Sequence, residues 1–102
     1  MTLKNLTNLS IVILTKNEDS QIEDCLKSCE FCDTILIVDS GSTDNTLTIA
    51  KKYTDNIIDK PFINFLDQRT FALEQASTEW VLFLDADERI SEKLKDEIIN
   101  FC

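Results

Sequence analysis

Four short runs of this chain are apolar on successive residues instead of alternate ones: Ser10 to Thr15, Thr34 to Asp39, a weaker Asn56 to Asp59, and Trp80 to Leu84. A strand with one solvated face alternates, so runs like these predict strands covered on both faces, which is the environment of a parallel sheet. Helical spacing fills the gaps. Ile22, Cys25, Leu26 and Cys29 recur at that spacing and predict a helix from about Asp19 to Phe31. Ser42 or Asp44 can cap a second helix carrying Leu47, Ala50 and Tyr53; Asp67 to Ala76, free of Gly and Pro, predicts a third; Ser91 can cap a last one carrying Leu94, Ile98 and Phe101. The expected fold class is therefore α/β, in the order β-α-β-α-β-α-β-α, as an open doubly wound, mainly parallel sheet.

With 102 residues, one Gly and one Pro, the chain offers no linker or repeat that would mark a second domain. The apolar runs are too short to cross a bilayer, and no basic segment leads into an apolar one at the start, so a transmembrane segment and an export signal are not expected. The expected location is the cytoplasm, with the inner face of the cytoplasmic membrane as the alternative. A net charge of -9 argues against a nucleic-acid backbone as partner. Any phosphate ligand then needs a cation. Four cysteines could make two disulfides, but Cys25, Cys29 and Cys32 crowd one helical segment and are expected to be free thiols.

Open parallel sheets bind ligands beyond the carboxyl ends of their strands. Here those ends carry Thr15-Lys16-Asn17-Glu18, Asp39-Ser40-Gly41-Ser42-Thr43-Asp44 and Asp85-Ala86-Asp87-Glu88. Such residues also make caps and turns, and Ser42, Thr43 and Asn45 fit that use. Glu18 fits the first turn of a helix as well as a ligand site. Asp39 follows the apolar run too closely to cap the next helix, which favours a ligand role. Asp85, Asp87 and Glu88, with Glu92 close behind, repel one another unless something positive arrives, and carboxylate oxygens suit Mg²⁺ or Mn²⁺. The plain alternative is a solvated acidic loop. No G-x-G-x-x-G and no P-loop sequence is present.

Together, Ser-Ile-Val-Ile-Leu-Thr-Lys-Asn-Glu, Ile-Leu-Ile-Val-Asp-Ser-Gly-Ser-Thr-Asp-Asn-Thr and Trp-Val-Leu-Phe-Leu-Asp-Ala-Asp-Glu resemble, in order and spacing, the family 2 glycosyltransferases of the GT-A fold, over nearly the whole chain from about Leu9. The Leu-Asp-Ala-Asp-Glu-Arg-Ile version is similar to the bacterial branch acting on lipopolysaccharide core. The resemblance implies that residues 1–102 are the nucleotide-sugar-binding, Rossmann-like N-terminal part of a truncated GT-A domain. It implies an inverting, metal-dependent transfer from a nucleotide diphosphate sugar, UDP-linked by expectation, to a cell-envelope glycan or lipid-linked acceptor. Thr15, Asn17, Glu18, Asp39, Ser40, Arg69 and Asp85 match the nucleotide-binding positions, Asp39 toward the base and Asp85 toward the ribose. Asp87 matches the metal position. Where the family has an Arg-Asn pair this chain has Arg69-Thr70. The catalytic base of the family lies in a later segment, so none is assigned here.

Two other readings remain open at this point. Cys25-x₃-Cys29-x-Phe31-Cys32 resembles the cluster-binding signature of radical S-adenosylmethionine enzymes, although Cys25 and Cys29 also fall on the apolar helix stripe. A non-catalytic binding module, associating as a homo-oligomer through an exposed apolar face, is the other.

Overall fold

The computed structural model describes residues 6–102, with side chains from Asn8 onward. Eight elements follow one another: β1 (Leu6–Thr15), α1 (Ile22–Ser28), β2 (Cys32–Asp39), α2 (Thr46–Ala50), β3 (Ile57–Asp59), α3 (Phe65–Gln75), β4 (Trp80–Asp85) and α4 (Glu92–Phe101). The strands form one sheet in the order β3-β2-β1-β4, and every pairing is parallel. This is the expected α/β order and sheet.

The register explains why the runs are continuously apolar. Ile11 and Ile13 face one side of the sheet and pack with Ile35, Ile37 and Leu84 against Ile22, Cys25, Leu26 and Cys29 of α1 and Ala50 of α2. Ile90 and, less deeply, Ile98 of α4 close the same side. Val12 and Leu14 face the other side, where they meet Leu36, Val38 and Ala72 of α3. Both faces are thus covered, but unequally. On the second side α3 buries only Gln68 and Ala72, while Phe65, Leu66 and Leu73 stay exposed.

Helix ends deviate from the periodicity for local reasons. The first helix is shorter than the expected span because Ser28 Oγ takes the Cys25 carbonyl at 2.7 Å and Cys29 N donates to Leu26 O, an i to i−3 bond that closes the last turn. The third starts earlier, since Asn64 Oδ1 accepts from Asp67 N at 2.7 Å. Ser91 caps α4 as expected, accepting from Leu94 N. No helix among the described residues is long and apolar enough to cross a membrane.

Candidate functional site

From β1 the chain moves outward to β2 and β3, then crosses back through α3 to place β4 on the opposite side of β1. The order reverses at β1, and the crevice beyond that reversal is where an open sheet receives ligands. Two backbone bonds draw the neighbouring strand ends onto the end of β1: Ser40 N donates to Thr15 O at 3.0 Å, and Ala86 N to Leu14 O at 3.2 Å. The result is an open cavity of about 420 Å³ whose wall includes Thr15, Glu18, Ser40, Asp85 and Asp87. Five expected residues, from three separate segments, therefore share one cavity.

Asn17, Asp39 and Arg69 are not in that wall. Asp39 is 1 % exposed, and its carboxylate is engaged within its own turn: Oδ2 accepts from Gly41 N at 3.0 Å and Ser42 N at 2.8 Å, and Oδ1 from Ser42 Oγ at 2.5 Å. Asp39 does not cap the next helix, as its position implied; its carboxylate closes the turn at Gly41 (φ +88). Asp87 lines the cavity and Asp39 does not. Asn17, in the left-handed region at φ 53, joins two loops: its N donates to Ser42 Oγ and its Oδ1 accepts from Thr43 N, both at 2.8 Å. Ser42 is spent in these contacts, leaving Asp44 to accept from Thr46 N and Oγ1 at the start of α2. The Arg69 guanidinium lies 5.7 Å from the Phe65 ring centroid and 6.0 Å from that of Phe83.

The acidic turn is built with care. Glu88 does not join the cavity: its Oε1 accepts from Asp85 N at 2.8 Å and closes the turn. Arg89 holds the other side, donating to the Ala86 and Glu88 carbonyls and to Gln21 Oε1 of the α1 approach. What remains open is the pair Asp85 and Asp87, both exposed. Partial burial, then the charges of Glu88 and Asp87, raise the Asp85 carboxyl above its ordinary value, with Arg69 opposing. The local charge is thus incompletely neutralised by protein. That donor set fits a hard divalent cation holding one or two carboxylates and completing its shell elsewhere, although no group of three or more metal-ligating side chains exists among the described residues.

One polar atom on the wall is left over. Thr15, 6 % exposed, has a buried hydroxyl without a hydrogen-bond partner. An unpaired buried hydroxyl costs free energy, and this one belongs to a residue that lines the cavity. Gln68, Phe62 and Phe65 also line the wall and were not anticipated. The signal for Gln68 was present in helix geometry: it lies four residues before Ala72, on the face α3 turns to the sheet.

The cysteines do not form a ligand set. The neighbouring Cys29 thiol and then burial push the Cys25 thiol up in pKa, while Cys32 Sγ donates to the Leu9 carbonyl at 2.9 Å. All three are buried in the core as small apolar groups, contrary to the cluster reading.

The profile of "Glycosyl transferase family 2" matches residues 10–101. An uncharacterized glycosyltransferase of Rickettsia conorii is 39% identical over 97 residues, covering 93% of this chain and 34% of that protein. The lipopolysaccharide core biosynthesis glycosyltransferase LpsC of Rhizobium meliloti is 39% identical over 93 residues, covering 86% of this chain and 34% of its own length. Among solved structures, residues 1–349 of S. aureus TarS superpose with a TM-score of 0.69 at 32% identity, covering 90% of this chain and 31% of that one. The chain thus spans about a third of the length of the curated relatives it matches.

Proposed function

The chain belongs to glycosyl transferase family 2, and from that premise we propose that it holds the nucleotide end of a nucleotide diphosphate sugar in the cavity beyond β1 and β4. We propose that the whole enzyme transfers the sugar, with inversion, to a glycan or lipid-linked acceptor of the cell envelope, on the inner face of the cytoplasmic membrane. The lipopolysaccharide assignment draws on the likeness to LpsC.

The observation that carries this reading is the pairing, on one wall, of an unsatisfied Thr15 hydroxyl with the under-neutralised Asp85 and Asp87 carboxylates. An uncharged ligand would answer the first and not the second. A diphosphate bound with Mg²⁺ or Mn²⁺ answers both. Asp87, assisted by Asp85, would hold the ion, which when bound supplies positive charge against the charge growing on the leaving diphosphate.

The chain's own residues then bind and orient. Thr15, Ser40 and Glu18 line the cavity that would receive the nucleotide. Asp39 and Asn17 act from behind the wall, holding the β2 turn and the β1 loop in register. The Arg69 charge, which already acts on Asp85, supports the anionic ligand at longer range. In the transfer itself an acceptor hydroxyl bonds to the anomeric carbon as that carbon's bond to the diphosphate breaks, and the hydroxyl proton goes to a carboxylate supplied by polypeptide other than these residues.

The test is calorimetric titration of UDP with and without Mn²⁺. Wild type is expected to bind UDP in a Mn²⁺-dependent manner, and Asp87→Ala to lose that dependence. Binding indifferent to both Mn²⁺ and Asp87 would favour a non-catalytic nucleotide-binding module.

A further inference from the structure

Five polar or charged side chains are buried among the described residues: Ser10, Thr15, Asp39, Thr46 and Gln68. Three of them are accounted for within the fold. Ser10 bonds Thr78, Asp39 closes its own turn, and Thr46 joins Asp44 and the Glu18 amide. Thr15 and Gln68 remain, and both line the cavity.

Gln68 is an unexpected residue for its place. It occupies, at 3 % exposure, the position on α3 from which an apolar side chain would pack on the sheet. Burying an amide is unfavourable unless it is hydrogen-bonded, and a Leu or Met there would fill the space at less cost. The amide does reach a partner, but across the cavity wall instead of within its own helix: Nε2 donates to Ser40 Oγ at 2.9 Å. A serine hydroxyl has one hydrogen to give and lone pairs to receive with. With Gln68 on one lone pair of Ser40 Oγ, the Ser40 O–H is turned away from Gln68 and free to donate. The Ser40 backbone is fixed to Thr15 O, so the two hydroxyls stand on adjacent strand ends, one oriented by Gln68 and the other without any partner in the protein.

We infer that Gln68 is a positioning residue of the donor cavity: by donating to Ser40 Oγ it turns the Ser40 hydroxyl into a hydrogen-bond donor for an acceptor oxygen of the bound nucleotide, beside the Thr15 hydroxyl. This rests on the nucleotide-binding reading above and adds to it a residue and a polarity. The acceptor oxygen belongs either to the base and ribose or to the phosphates, and the two sources are separable by ligand.

The experiment is titration of UDP in the presence of Mn²⁺ into wild type, Gln68→Met, Ser40→Ala and the double variant, with a thermal melt of each to establish folding. Each single change is expected to weaken UDP binding about fivefold, the loss of one neutral hydrogen bond. The double variant is expected to bind no more weakly than Ser40→Ala, because Gln68 acts through that hydroxyl. Ser40→Thr, which keeps the hydroxyl, restores affinity. Gln68→Glu, which keeps the shape but accepts where Gln68 donates, stands in should Gln68→Met fail to fold, and uridine and inorganic diphosphate are titrated into the same variants. A loss seen with uridine places the acceptor on the nucleoside; a loss seen only with inorganic diphosphate places it on the phosphates, and either supports the inference. Undiminished binding by the Gln68 variants, or penalties that simply add in the double variant, overturns it while the Asp87 dependence, and so the transferase reading, stands. A wild type that binds no UDP overturns both.

Discussion

At the scale of single residues, the cavity is assembled from groups that fold less well than their alternatives. Thr15 buries a hydroxyl with no partner, a cost of about 1–3 kcal/mol that an isosteric apolar side chain avoids. Thr15→Val is therefore expected to raise stability by about 1 kcal/mol, or roughly 4–8 °C in Tm for a domain of this size. The same change is expected to weaken UDP binding, which calorimetry would read beside the melt. Asp85 gives a second prediction, through pH. Its carboxyl is raised above the ordinary value of 3.8 by burial and by the Glu88 and Asp87 charges, so the folded chain binds this proton more tightly than the unfolded chain. Its contribution to stability is present below that value and is lost as pH rises through the raised one. Asp85→Asn should then melt higher than wild type at pH 7, with the two curves converging toward acid. A variant that melts lower than wild type at pH 7 would contradict the electrostatic account of this turn.

Among the elements, strands were legible in the sequence, whereas of the helix ends the Ser91 cap of α4 was and the start of α3 and the end of α1 were not. Ser10 to Thr15 and Thr34 to Asp39 read directly as buried strands because a parallel sheet covers both faces, leaving no alternation to confuse the period. The start of α3 depended on Asn64, a side chain outside the apolar pattern, and the end of α1 on the Ser28 hydroxyl. On α3 the apolar residues Phe65, Leu66 and Leu73 are exposed and the buried residues are Gln68 and Ala72, so apolar character alone does not mark the face turned to the sheet. For Asp39 the sequence locates the residue at a strand end but does not reveal that both its oxygens bond within the Gly41 turn. On α1 the prediction concerns thiols. Cys25, Cys29 and Cys32 are buried, Cys102 only partly so. Titration with an aromatic disulfide reagent should label Cys102 alone in the native protein and all four after denaturation. Prompt labelling of Cys25, Cys29 and Cys32, or iron in protein purified without oxygen, would revive the cluster reading.

For the whole molecule, the sheet is a divider between unequal layers. Three helices and most of the buried apolar residues lie on one side. On the other, α3 is fastened by the Ala72 methyl, the Gln68 bond to Ser40, and an ion pair in which Lys60 Nζ sits 2.7 Å from Asp67 Oδ2. Segments with little buried apolar contact open first. Amides of α3 should exchange with deuterated solvent sooner than those of α1, and UDP with Mn²⁺ should slow α3 selectively. Equal exchange from the two layers would contradict this. The fastening has a consequence of its own, since one of those three attachments ends on a serine at the cavity. Loosening α3 and releasing the hold on Ser40 are a single event, so the back wall of the cavity behaves as a hinged panel whose latch is also a finger on the cargo.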